Sequence, residues 1–158
     1  MKTISFFVPG EPRPTARART FTNKKGFIQT ITDPSGKVKP WREKIARAAK
    51  GTPCQKDGNN APLVPWTGPC TITVVFYFKR PPSHFTTKDE LSAEGKRRRA
   101  PMGGVGDLDN LYRGVADALE GVVYKRDGQI CCATLLKRYC GGDEPEGVHV
   151  TLRTSEGL

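Results

Sequence analysis

Residues 70–79, Cys-Thr-Ile-Thr-Val-Val-Phe-Tyr-Phe-Lys, constrain the fold more than any other stretch. Ile72, Val74, Phe76 and Phe78 recur at period two, which places them on one face of a strand and marks that face as core. Pro81-Pro82 then stops the strand. A second strong signal has the helical period. Leu108, Leu111, Val115, Ala118/Leu119 and Val122 recur at spacings of three and four, predicting a helix over about 109–121 with that stripe buried. Weaker signals add strands at 3–8, 27–31, 129–139 and 147–153. A helix over 41–50 is expected to have Pro40 in its first turn and Trp41, Ile45 and Ala48/Ala49 on one face. Helices and strands mix without βαβ regularity, so the expected class is α+β. At 158 residues one domain is the simplest division, with a mixed sheet and the helices packed on one side of it.

Between these elements the chain is irregular. Residues 51–69 are rich in Pro, Gly and Asn and are expected to be a mobile loop, as is 94–106; a short helix is expected near 87–93. Lys24, Lys25 and Gly26 suggest a hairpin tip. No run approaches the roughly 20 apolar residues of a membrane span, and no signal peptide is visible, so the expected compartment is the cytoplasm. Five cysteines without a CxxC pair fit neither a disulfide framework nor a zinc knuckle. Reduced thiols are expected, with Cys70, Cys131 and Cys132 acting as small apolar residues in strands.

Charge narrows the function. Residues 1–50 hold twelve Lys/Arg against three Asp/Glu, a net of +9; residues 51–158 hold fourteen against thirteen, a net of only +1. Positive charge so concentrated points to a polyanion, and nucleic acid is the expected one. The Pro-rich segment 11–19 places Arg13, Arg17 and Arg19 on an extended stretch, and Lys96-Arg97-Arg98-Arg99 forms a second basic cluster.

Against that background Gly106-Asp107-Leu108-Asp109-Asn110-Leu111-Tyr112-Arg113, followed by Arg126-Asp127-Gly128-Gln129, is anomalous. Carboxylates facing DNA phosphates repel them unless a cation intervenes. Asp107 and Asp109 share one side if the segment is extended, with Asn110 as N-cap of the helix, and Asp127 returns beyond the helix to the same region. Hard oxygen ligands in this number suit magnesium, with manganese as a substitute. Arg113 lies one turn after Asp109 and is placed to neutralise phosphate charge. Ordinary structural roles compete with each assignment: Asp107 as a helix cap, Asp127-Gly128 as a hairpin turn, Arg113 as an ion-pair partner of Asp109 or Asp117. Neither His84 nor His149 has a neighbouring Ser or Cys suggesting a nucleophile, so a metal-activated water is the simplest one.

At these residues the chain resembles the RusA family of Holliday-junction resolvases. Asp107-Leu108-Asp109-Asn110-Leu111-Tyr112-Arg113, Asp117-Ala118-Leu119 and Arg126-Asp127-Gly128-Gln129 match the family pattern, and Phe6-Phe7-Val8-Pro9-Gly10-Glu11-Pro12-Arg13-Pro14 looks like its first strand and Pro-rich exit. The resemblance implies a homodimeric α+β endonuclease of DNA recombination and repair that uses magnesium to cut four-way junctions by symmetrical nicks. Asp107, Asp109 and Asp127 are then the catalytic, metal-binding carboxylates. Arg113 stands where the family usually has a catalytic lysine, and Arg126 replaces the first acid of the usual Asp-Asp pair. Arg13, Arg17, Arg19 and Lys96–Arg99 are the expected DNA contacts. Two alternatives remain open: a nuclease of looser preference for branched or flapped DNA, and a structure-selective DNA-binding protein that does not cleave.

Overall fold

A computed structural model describes residues 1–15, 19–31 and 33–155. The period-two segments form a six-stranded sheet from β1 (Lys2–Pro9), β4 (Cys54–Lys56), β5 (Asn59–Ala61), β6 (Cys70–Phe78), β7 (Ile130–Tyr139) and β8 (Gly147–Thr154), in the order β5-β4-β1-β8-β6-β7. Neighbours are antiparallel except β6 and β7, which run parallel. A second, two-stranded sheet pairs β2 (Arg19–Thr22) with β3 (Ile28–Ile31).

One face of the large sheet is core. Ile4, Phe6 and Val8 of β1, Ile72, Val74, Phe76 and Phe78 of β6, and Val148, Val150 and Leu152 of β8 are all buried. Two amphipathic helices cover them. Helix α1 (Val38–Lys50) contributes Trp41, Ile45 and Ala49, and α3 (Leu108–Leu119) contributes Leu111, Val115, Ala118 and Leu119. Each fully buried side chain of this size contributes about 1.5–3 kcal/mol, so this layer dominates stability. The α+β, single-layer-of-helices expectation holds. The opposite sheet face carries Ser5, whose hydroxyl meets His149 at 3.1 Å and Thr151 at 2.8 Å, and the edge-on pair Phe7–Tyr77.

Several local expectations are corrected. Residues 51–69 contain the β4–β5 hairpin, whose turn has Asp57 and Gly58 at positive φ. Trp66 is buried there and pairs its backbone with Val123 and Lys125. No helix spans 87–93. Ser92 instead caps α2 (Ala93–Arg97) by accepting from the Gly95 amide. The segment 94–99 is tied down, because the Arg80 guanidinium donates to the carbonyls of Gly95, Arg98 and Cys140 and lies over the Tyr139 ring. Cys70 is buried as expected, but Cys131 and Cys132 are exposed, since β7 is an edge strand. Among the described residues no helix is long and apolar enough to cross a membrane.

Candidate active site

Helix α3 starts at Leu108, the first residue of its apolar stripe and one before the expected start at about 109. Leu111 donates its amide to the Asp107 carbonyl at 3.0 Å, which makes Asp107 the N-cap in position and Asn110 an interior residue. The N-cap assignment of Asn110 is therefore corrected. Asp107 has the extended backbone of a cap, yet its side chain accepts no capping hydrogen bond. Asp109 sits inside the first helical turn rather than in an extended segment with Asp107. A carboxylate there is favoured by the exposed amides of the helix start.

The approach to this helix is fixed by close packing. Gly106 has φ +92°, and a Cβ on it would come within 2.6 Å of Pro14. Thr15 donates its amide and its hydroxyl to the Asn110 carbonyl, at 3.1 and 3.0 Å. Further along, Gly114 lets Thr15 and Arg13 lie against the helix. The Pro-rich segment thus crosses the start of α3 as a strap. From the other side, half-buried Lys137 of β7 donates to the Gly106 carbonyl at 3.3 Å. Lys137 carries no local sequence signal, because only the pairing of β7 brings it here.

Asp127 is positioned by a different device. Asp127–Gln129 form a 3-10 turn that feeds β7, not the hairpin its Asp-Gly dipeptide suggests. Gln129 clamps that turn. Its amide nitrogen donates to the carbonyls of Trp66 and Gly68, at 2.9 and 2.8 Å, and its oxygen accepts from the amides of Lys125 and Arg126. Below it the Tyr124 hydroxyl donates to the Ala116 carbonyl of α3 at 2.6 Å, locking the turn to the helix. Next to Asp127, β7 bulges at Cys131, so Ile130 and Cys132, but not Cys131, pair with β6.

Two adjoining clefts result. The first, about 590 Å³, is lined by Arg13–Thr15, Pro34, Ser35, Val38, Gly106, Asp107, Asp109 and Asn110. The second, about 460 Å³, is lined by Asp109, Tyr112, Arg113, Ala116, Asp117, Asp127 and Ile130–Ala133. Asp109 borders both, so Asp107, Asp109 and Asp127 form a row along one open surface. Among the described residues no three His, Cys, Asp or Glu side chains converge tightly enough to cage an ion by themselves. None of the three carboxylates has a hydrogen-bond or ion-pair partner among the described residues, and Arg113 has none either. The salt bridge to Asp117 comes from Arg42 of α1, at 3.5 Å. Tyr112 is half-buried in the cleft wall. Burial pushes its hydroxyl pKa up, with the nearby Cys70 and Asp127 charges adding to the rise, so it stays a protonated donor.

The expected DNA contacts divide. Arg13 lines the first cleft and pairs with Glu11. Arg17 lies outside the described residues, and Arg19 opens β2. Lys96 and Arg99 are exposed, while Arg97 and Arg98 both pair with Glu94. The Arg99 carbonyl accepts from the Tyr139 amide, two residues beyond Lys137. The basic run and the start of α3 are therefore pinned to the same end of β7.

The arrangement sets open carboxylates and the Arg13 and Arg113 side chains along the same two clefts. Over residues 9–153 the sequence matches the family described as Endodeoxyribonuclease RusA. It is also similar to an uncharacterized protein of Bacillus subtilis (strain 168), YqaN, at 30% identity over 154 residues, covering 97% of each chain.

Proposed function

This chain belongs to the RusA family of Holliday-junction-resolving endodeoxyribonucleases, and from that premise we propose that it cuts four-way DNA junctions by paired symmetrical nicks. The observation that carries the proposal is the row of unpartnered carboxylates, Asp107, Asp109 and Asp127, on an open surface beside the strongly basic N-terminal third. Left facing DNA without a cation, that row opposes the rest of the protein.

The donor set fits a hard divalent cation. All three candidates are exposed carboxylates with free oxygens, and magnesium or manganese keeps waters and accepts substrate phosphate oxygens, so one or two protein ligands suffice. When bound, such an ion supplies Lewis-acid polarisation of the scissile phosphate and acidifies a water. The remaining work falls to the chain. Asp107, Asp109 and Asp127 hold and orient that centre. Arg113, in the same cleft as Asp109 and Asp127, neutralises negative charge accumulating on phosphate oxygens. An arginine offers a planar fork of donors in place of the point charge of a lysine, which suits it to holding phosphate oxygens. Tyr112 adds a hydroxyl donor to the cleft. Arg13, Arg17, Arg19 and Lys96–Arg99 hold phosphates of the junction arms. A homodimer suits this substrate, because a four-way junction has approximate two-fold symmetry and two equivalent sites then face opposed strands. The cytoplasm of a bacterial or phage-infected cell is where such DNA is met.

The test mixes the purified protein with a synthetic four-way junction, a flap and a linear duplex, with and without magnesium, beside Asp109→Asn. The junction is cut in preference to the other two, only with the metal. Asp109→Asn lowers the rate by roughly a hundredfold to a thousandfold, while binding the junction at least as tightly because negative charge has gone. Junction binding without cutting in any metal ends the enzyme assignment. Equal cutting of linear duplex ends the resolvase assignment.

A further inference from the structure

The β2–β3 hairpin is built like no other part of the molecule. Every residue of β3 is exposed, as are Thr20, Phe21 and Thr22 of β2, so the hairpin stands off the body. It nevertheless shows four large apolar side chains to solvent: Ile28 is 75% exposed, Phe27 67%, Phe21 42% and Ile31 40%. Apolar surface in such a projection contributes nothing to the core and favours aggregation, so its presence calls for a partner. The finger is also well formed. The Asn23 side chain accepts from the amides of Lys25 and Phe27, at 2.9 and 3.0 Å, the Gly26 amide donates to the Asn23 carbonyl, and Thr20 meets Thr30 across the strands.

Three features identify the partner. Both roots of the hairpin, Arg13–Thr15 before it and Pro34–Ser35 after it, line the cleft that holds Asp107 and Asp109. Asp33 fastens the return strand to the start of α1 by accepting from the amides of Val38 and Lys39. From Arg19 to Thr22 the hairpin is four residue pairs long, about 10 Å at the rise of an extended strand. Next, the two apolar residues nearest the tip, Phe27 and Ile28, lie on opposite sides. Strand register and period two place Phe21, Phe27 and Ile31 on one face and Ile28 on the other. A docking face for a folded protein is one-sided; a two-sided apolar tip suits insertion between flat groups. Finally, Lys24 and Lys25 crown the tip, so the flat groups are expected beside negative charge.

We propose that this hairpin is a wedge that inserts Phe27, flanked by Ile28, against unstacked bases at the branch point of a DNA junction, while Lys24 and Lys25 hold the adjoining phosphates. Stacking of a base on an aromatic ring tolerates any sequence, whereas a continuous duplex offers no open step without unstacking. The wedge therefore selects branched over linear DNA. This inference rests on the junction-cleaving function above and says where its selectivity originates.

The test uses full-length protein carrying Asp109→Asn, so that binding is read without cutting. The probe is a four-way junction with 2-aminopurine at a branch-point position, with a matched linear duplex as control. Binding raises the fluorescence several-fold as the base unstacks. Adding Phe27→Ala with Ile28→Ala abolishes the rise and weakens junction binding by about tenfold, in line with the loss of one stacked base. Duplex binding and the thermal midpoint stay unchanged, because the hairpin is outside the core. Phe27→Trp keeps the signal. An undiminished rise in the alanine variant, with intact preference for junction over duplex, overturns the wedge. So does a shift of the variant from dimer to monomer in solution without a change in the signal, which assigns the patch to pairing of two copies. Failure of the parent itself to bind or cut junctions would instead refute the underlying function.

Discussion

Residues 120–130 and residues 19–31 are both short reversals of the chain, the first carrying Asp127 and the second rooted in segments that line the cleft of Asp107 and Asp109, yet one is tied into the body along its length and the other stands free of it. The first is held by Gln129, by the Tyr124 hydroxyl on Ala116 and by buried Trp66, Val123 and Tyr124. The second is held by its own ladder and by Asn23 within its loop. The difference matches the roles proposed for the two regions. A carboxylate that positions a reacting phosphate has to stay within a fraction of an ångström, so its turn is over-determined by packing and hydrogen bonds. A probe of DNA shape needs reach and exposed surface, which an isolated two-stranded hairpin provides at the cost of local stability. Stability and chemistry are therefore expected to fail together in the first region, and affinity alone in the second.

The largest effect in this comparison is expected at Gln129. Gln129→Ala removes the donor to two carbonyls and the acceptor for two amides. Denaturant unfolding should register a loss of about 2–3 kcal/mol. Cleavage should fall by more than tenfold as Asp127 loses its platform, while junction binding changes little. A variant with parental stability and parental cleavage would show that the turn is held by other means. Tyr124→Phe is milder. The Ala116 carbonyl keeps its bond from the Glu120 amide, so the cost is about 1 kcal/mol. It also carries a pH signature. Burial pushes the Tyr124 pKa far up, with the Tyr112, Cys70, Asp127 and Glu120 charges adding to the rise. Below about pH 10 folded and unfolded chains both keep this proton, and the residue adds no pH dependence. Above it the unfolded chain ionises first, so stability falls as pH rises. Tyr124→Phe should therefore lose stability less steeply on the alkaline side. Cys70, whose buried thiol is pushed up to about 11, contributes the same slope to both proteins. Identical alkaline slopes would mean that Tyr124 is not buried as an acid.

The same contrast explains what could be read from the sequence. The stripe of β6 and the stripe of α3 depend on periods of two and about 3.6 within one segment, and both elements lie within one or two residues of expectation. The acidic row was legible because it contradicts the charge around it. What failed depended on distant partners. Two Asp-Gly dipeptides occur beside strands. Asp57-Gly58, at positive φ, turns a hairpin, whereas Asp127-Gly128 turns into a strand whose parallel partner lies some sixty residues earlier. No local rule separates them, because the choice is made by Gln129 reaching Trp66. Cys131 and Cys132 read as apolar strand residues, but β7 is at the sheet edge and the bulge leaves Cys131 beside the cleft. Lys137 was invisible for the same reason: its meeting with Gly106 is a product of topology. The hairpin tip at Lys24–Gly26 was readable from turn residues, but its exposure on both faces was not, since exposure depends on what the fold leaves uncovered.

The smallest expected effect is also the sharpest test of the division. Lys24→Ser with Lys25→Ser removes two charges from the tip and no contact from the core. Unfolding by heat or denaturant should match the parent. Junction binding, measured between about 50 and 200 mM salt, should weaken at low salt and become less salt-dependent, the slope of log affinity against log salt falling by up to about 2. Cleavage at saturating DNA should be nearly unchanged, because Asp107, Asp109 and Asp127 are held by other elements. A drop in the saturated rate with an unaltered salt slope would reverse the argument. It would mean that the hairpin helps order the carboxylate row, through the roots it shares with the first cleft, and that the free finger and the fixed turn form one functional unit.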